Sequence, residues 1–177
     1  MTSSSVRIIV VSLAYVLVLI YFSLLEFPLR GDETHYWQSA LHFSSSVLPS
    51  LETLRSYNDM NTPLPFYLFG QIERITRLGP QAARFLNYAM SFLIVLLVTL
   101  GKNKYSLFYG LALMLFPYFM GTAILMYTDM LCAFLVLLGI ISFNRQAPLY
   151  ASLFFICAIS SRQYAVAFPV GILLYLL

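Results

Sequence analysis

The charge-free stretch from Ile8 to Leu25, bounded by Arg7 on one side and by Glu26 and Arg30 on the other, constrains this chain more than any other feature. A helix made from it is long enough to cross the hydrocarbon layer of a bilayer, which takes roughly 20 apolar residues. The pattern then repeats over Phe85 to Leu100, Tyr105 to Tyr127, Met130 to Phe143, Ala147 to Ser161 and Tyr164 to the end. With 60% hydrophobic and only 10% charged residues in 177, there is too little polar surface to clothe a soluble domain. The expected fold is all-α, a multi-pass transmembrane helical bundle forming one membrane domain over 1–177. A cleaved signal peptide would have a shorter core and a small-residue cleavage site, so the first stretch reads as a retained signal anchor. Several later segments fall short of a full span, which implies neighbouring polar residues drawn into a protein-lined cavity, or short, tilted or re-entrant helices. The apolar run reaching Leu177 reads as the N-terminal portion of a longer membrane fold.

Charge narrows the class further. A net charge of +3, scattered along the chain, gives no stripe for nucleic acid. Cys132 and Cys157 lie in apolar runs, where a small core residue is the ordinary reading and a disulfide is not expected. Arg7, Lys102, Lys104 and Arg145 fall on one side of the alternating topology with no acids among them, so that side is expected to be cytoplasmic. The other side then carries the loop 30–80, Tyr127-Thr128-Asp129 and Arg162-Gln163. In the loop, Trp37, Leu41, Leu48 and Leu51 form one near-helical stripe, and Leu64, Leu68, Ile72 and Ile75 another. Thr62-Pro63 is a helix start and Gly79-Pro80 a stop, so two amphipathic helices on the membrane surface are expected between spans one and two.

Gly31-Asp32-Glu33-Thr34, followed by His35-Tyr36-Trp37, puts two carboxylates where apolar chain gives way to water. Such a pair beside a lipid surface suits proton abstraction or cation binding. The plainer alternative is Asp32 capping a helix that starts near Glu33. Arg84 and Arg162 sit at the edges of apolar spans, where a guanidinium can grip two phosphate oxygens or reach toward head groups. Asp129 can pair with Arg162 or simply occupy a turn. Tyr67 and Trp37 can stack on sugar or isoprenoid, or belong to an interfacial aromatic belt. A metal site of Asp32, His35 and His42 matches no common spacing, so a divalent metal is an alternative that is not favoured, and no other cofactor is expected.

Gly31-Asp32-Glu33 with Tyr36-Trp37, then Asn61-Thr62-Pro63-Leu64-Pro65-Phe66-Tyr67, then Ala83-Arg84-Phe85-Leu86-Asn87, resemble the N-terminal half of the GT-C glycosyltransferases, which take a sugar from a polyprenyl-phosphate carrier. Leu115-Phe116-Pro117, Tyr127-Thr128-Asp129 and Ser161-Arg162-Gln163 look most like the branch that transfers glucose from dolichyl phosphate to the N-glycan lipid precursor. His35 comes one residue early for that branch, and Pro63-Leu64-Pro65 replaces its Pro-Pro-Gly. Bacterial relatives of protein mannosyltransferases share the acidic pair and the Pro-Leu element, although they carry a His where this chain has Asn61-Thr62.

The resemblance implies an inverting hexosyltransferase, glucose favoured, with a polyprenyl-phosphate sugar as donor, a lipid-linked glycan as acceptor and no obligatory metal. Asp32 would be the general base and Glu33 its acceptor-orienting neighbour. Arg84 and Arg162 would hold the donor phosphate, and His35, Asp59, Tyr67, Tyr127, Asp129 and Gln163 would support the substrates. The compartment implied is the endoplasmic reticulum membrane in a eukaryote or the inner membrane in a bacterium, with the active face lumenal or periplasmic. A bacterial transferase for cell-envelope glycan or protein, a non-catalytic membrane subunit and a small transporter are the alternatives.

Overall fold

A computed structural model describes residues 3–23 and 28–177, and among these the chain is helical with no strand. Ten α-helices follow in order: α1 Ser3–Ser23, α2 Asp32–His42, α3 Leu51–Ser56, α4 Leu64–Thr76, α5 Pro80–Thr99, α6 Ser106–Leu115, α7 Pro117–Ile124, α8 Asp129–Asn144, α9 Pro148–Ile159 and α10 Ala167–Leu176. A single 3₁₀ turn, Gln163–Val166, links the last two. Among the described residues two helices are long and apolar enough to cross a membrane, α1 and α5, or three if the bent pair α6 and α7 is counted as one span. Leu24 and Leu25, the end of the first expected span, lie outside the described residues.

Of the remaining expected segments, one is bent at a break and two form short helices. Pro117 divides the segment read as Tyr105 to Tyr127, bending α7 away from α6 by 67°. Proline has no N–H to donate and pushes the preceding residue toward extended geometry, and Phe116 accordingly has φ −78° and ψ 112°. Helix α8 has 16 residues and α9 has 12, about 24 and 18 Å of rise, both short of a span.

The loop 30–80 holds three helices where two were expected. The first stripe is cut at Phe43, so Trp37 and Leu41 lie on α2 while Leu51 opens the short α3, and Leu48 and Leu51 are exposed. Helix α4 begins where Pro63 predicts, but its buried face is Pro65, Phe66, Phe69 and Gly70, and Ile75 is exposed. Gly79-Pro80 does more than stop a helix. Arg77 closes α4 in the left-handed region, and Gly79, at φ 69°, turns the chain so that Pro80 takes the first position of α5. Helix α5 therefore starts five residues before Phe85 and carries Arg84 inside its opening turns.

Close approaches pack the bundle. A Cβ on Gly70 would sit 2.4 Å from the Ala40 carbonyl oxygen, so α4 lies directly on α2. Tyr36, Ala40, Phe43, Phe66 and Phe69 form the core of that contact. Helices α1 and α5 run antiparallel: Tyr15 donates its hydroxyl to Ser91, Tyr88 donates to the Tyr15 carbonyl, and Val11 shares a cluster with Val95. This places Arg7 at the same end as Lys102 and Lys104. Because Asn87 near the start of α5 bonds the link just before α8, those two helices start at one end, and Arg145, after α8, joins the basic end.

Candidate functional site

At the opposite end five segments converge: the start of α2, the loop 57–62, the start of α5, the link 125–128 into α8, and the link 160–164 after α9. Glu33 fixes the first, third and fourth together. It is fully buried. Its Oε1 accepts from Arg84 Nε at 2.9 Å and from the Met126 backbone N–H at 2.8 Å, while Oε2 accepts from Arg84 at 2.8 Å and from the Arg30 backbone N–H at 3.2 Å. Arg84 also donates to the Pro28 carbonyl at 3.2 Å. A bidentate pair with further hydrogen bonds is the form in which buried charge is tolerated.

Glu33, expected to orient the acceptor, has both oxygens engaged inside the protein, where they anchor the start of α2. Arg84, expected to hold the donor phosphate, is 8% exposed and directs its fork at Glu33, which makes it a partner in that anchor. Asp32 is different. It lies on the exposed side of α2, about 100° around the helix from Glu33, as successive residues must. It does not cap α2 from outside, because the N-cap is Gly31 and Asp32 is the first helical residue.

The second ion pair joins Arg162 to Asp129 at 2.8 Å. Tyr164 donates to the other Asp129 oxygen at 2.8 Å, and Arg162 also donates to the Asn61 side-chain carbonyl. Thr62 closes the same seam by donating to the Ser161 carbonyl at 2.8 Å. Burial works against the charge of Arg162, but the hydrogen bond and charge of Asp129 outweigh it and hold the guanidinium more firmly protonated than usual. Burial likewise pushes the Tyr36 hydroxyl up, with Arg162 opposing and Asp32 and Asp129 reinforcing, so Tyr36 lies in the fields of both the arginine and the acids. The charge of Asp32 also acts on Tyr127.

Two cavities meet at Tyr164. One is an apolar groove of about 440 Å³ that follows α8 from Asp129 to Ile140, walled by Leu113, Phe119 and Phe168. The other is a polar pocket of about 190 Å³ lined by Asn61, Thr62, Ser161, Arg162, Gln163 and Tyr164, with Met60 at its edge. Two buried polar atoms at this pocket, Arg162 Nε and Ser161 Oγ, have no hydrogen-bond partner in the protein. Both atoms are shut off from solvent, and leaving a buried polar group so costs about 1–3 kcal/mol.

The other expected residues fall into two groups. Asp59 and His35 belong to one network at this end, with His35 Nε2 2.8 Å from Asp59. Tyr127 lies in the pinned link and Gln163 lines the polar pocket. Tyr67 instead donates its hydroxyl to the Val47 carbonyl and packs on the α2–α4 core. Among the described residues no three His, Cys, Asp or Glu side chains gather closely enough to hold a metal ion, and His42 lies on the Thr53 carbonyl at 2.8 Å, away from an Asp32–His35 site.

Asn61, Ser161, Tyr164 and Asn87 emerge as site residues only in three dimensions. Asn87 donates to the Leu125 and Tyr127 carbonyls at 2.8 and 2.7 Å, fixing the backbone that carries Asp129. Its position three residues after Arg84, on the same face of a helix, was the available signal. Comparison with protein families, characterised proteins and solved structures returns no match for this chain.

Proposed function

We propose that this chain is a membrane glycosyltransferase of the GT-C type, transferring a hexose, glucose favoured, from a polyprenyl-phosphate sugar to a lipid-linked glycan. The observation that carries the reading is the junction at Tyr164 of a long apolar groove with an arginine-lined polar pocket, at the end of the bundle that also displays Asp32. A lipid chain fits the groove, and a phosphate at its mouth would face the Arg162 guanidinium, whose side chain is 20% exposed. In this scheme Asp32 takes the proton of the acceptor hydroxyl while that oxygen bonds to the anomeric carbon. The bond from carbon to phosphate oxygen breaks, and its electron pair leaves on the lipid phosphate. Anchoring by Glu33 and Arg84 keeps the first turn of α2, and so Asp32, in place.

The basic end would face the cytoplasm and the site the lumen or periplasm. A transporter is disfavoured because Asp129 is the first residue of α8, so its pair with Arg162 stands at an end of the bundle. The test is transfer from a radiolabelled polyprenyl-phosphate glucose in membranes carrying the protein. Asp32→Asn keeps shape but not basicity, and turnover should fall about 10²- to 10⁴-fold with donor affinity little changed. Full turnover by a folded Asp32→Asn variant removes the base, and movement of label across sealed vesicles without donor consumption would favour the transporter.

A further inference from the structure

The transfer chemistry above leaves one network unused. The Asp59 side chain is only 3% exposed, and four donors surround it. Its Oδ1 accepts from the Asn61 backbone N–H at 2.9 Å and the Asn61 side-chain amide at 3.1 Å, and Oδ2 accepts from the Ser39 hydroxyl at 2.9 Å and from His35 Nε2 at 2.8 Å. A carboxylate so saturated stays ionised and has nothing left to offer a substrate. What it does is set the His35 ring. With the proton on Nε2 directed at Asp59, the lone pair is on Nδ1. The His35 side chain is 59% exposed, so this second nitrogen is on a ring open to solvent. His35 follows Asp32 by three residues on α2, which makes the two neighbours on one helix face, about 5–6 Å apart at Cβ.

We propose that His35 is the proton exit of the site, with Asp59 as its positioning residue, an inference that rests on Asp32 being the base of a transferase. After the acceptor proton reaches Asp32, it passes to His35 Nδ1. Asp32 returns to the carboxylate, and the imidazolium, held by its hydrogen bond to Asp59, releases the proton to water. Nothing is oxidised or reduced, and no group other than the proton moves. Ser39 and Asn61 serve by holding Asp59, which ties the loop 57–62 to α2.

Two measurements on the membrane-embedded protein test this. The first needs no transfer activity: alkylation with bromoacetate should place the adduct of His35 on Nδ1 and shift it to Nε2 in Asp59→Ala. With 2 histidines in the chain, peptide mapping separates His35 from His42. An Nε2 adduct in the unaltered protein overturns the proposal. The second is turnover. His35→Ala should lose on the order of tenfold to a hundredfold in rate with donor KM little changed, and added imidazole should restore much of it. His35→Gln, unable to shuttle but able to hydrogen-bond, should be as slow. Full rate in either variant, or a loss that imidazole does not repair, overturns the relay while Asp32-dependent transfer leaves the transferase standing. Absence of transfer by the unaltered protein overturns both.

Discussion

Adjacent residues with the same charge meet opposite surroundings here. Glu33 is turned into the protein to meet Arg84, and Asp32 is turned out. Their swap of surroundings makes a direct prediction. Glu33→Gln leaves Arg84 buried with its charge uncompensated, and loss of one partner from such a pair costs about 3–5 kcal/mol. A large fall in the detergent melting temperature is expected, with Asp32→Asn melting close to the unaltered protein. Equal melting of all three would mean that Glu33 is not an anchor. Asp59 gives a second prediction, in pH. Burial pushes its carboxyl up, but hydrogen bonds from Asn61 and Ser39 and the nearby His35 overcome this and hold it below the usual carboxylate value. A group depressed on folding contributes stability in full above its unfolded value of about 3.9 and loses it as pH falls through the folded value. The Asp59 contribution should therefore be constant from neutrality down to about pH 5, begin to fade near pH 4 and be gone only below the depressed folded value. Acid unfolding followed by tryptophan fluorescence should show a flatter low-pH limb in Asp59→Asn.

At the scale of elements, glycine governs how near two helices come. Gly70→Ala would put a methyl group 2.4 Å from the Ala40 carbonyl oxygen and 3.0 Å from the Phe43 carbonyl carbon, both backbone atoms with little room to yield. Overpacking of this kind costs about 1–3 kcal/mol, and it should lower the melting temperature by loosening α4 from α2. Gly121→Ala, on α7 with nothing within 4 Å, should instead gain up to about 1 kcal/mol from helix propensity. A Gly70→Ala protein as stable as Gly121→Ala would contradict the α2–α4 packing. Elements were legible in the sequence where one signal dominated. The uninterrupted apolar runs of α1 and α5 announce themselves, and Pro63 marks the start of α4. They were not legible where signals compete. Pro117 breaks an apolar run whose hydropathy is otherwise continuous, and Gly79-Pro80 serves an ending and a beginning at once. Leu48 and Leu51 continue the spacing of Trp37 and Leu41 across a serine-rich break that no periodicity reveals.

In the molecule as a whole, the polar clusters were legible as belonging to one end, because helices of alternating direction bring every second link to the same side. Their pairing was not. Glu33 meets Arg84 from 51 positions away and Arg162 meets Asn61 from 101, and such choices are made by packing that no local pattern encodes. Arg7 in the first turns of α1 and the three basic residues of the short links, Lys102, Lys104 and Arg145, collect at the other end, which turns the charge bias into a spatial statement about two poles. If the chain sits in a bilayer by its two long helices, the poles must face opposite compartments. A small tag inserted at Gly101 or Gln146 should then be reached only from the cytoplasm, and one within Ser44 to Ser46 only from the lumen or periplasm. Protease protection or impermeant thiol labelling in sealed vesicles of known orientation reads this directly. Accessibility of the Gly101 and Ser45 tags from the same side would place the basic pole and the Asp32–Arg162 pole in one compartment, and with that the proposed site would lose its face.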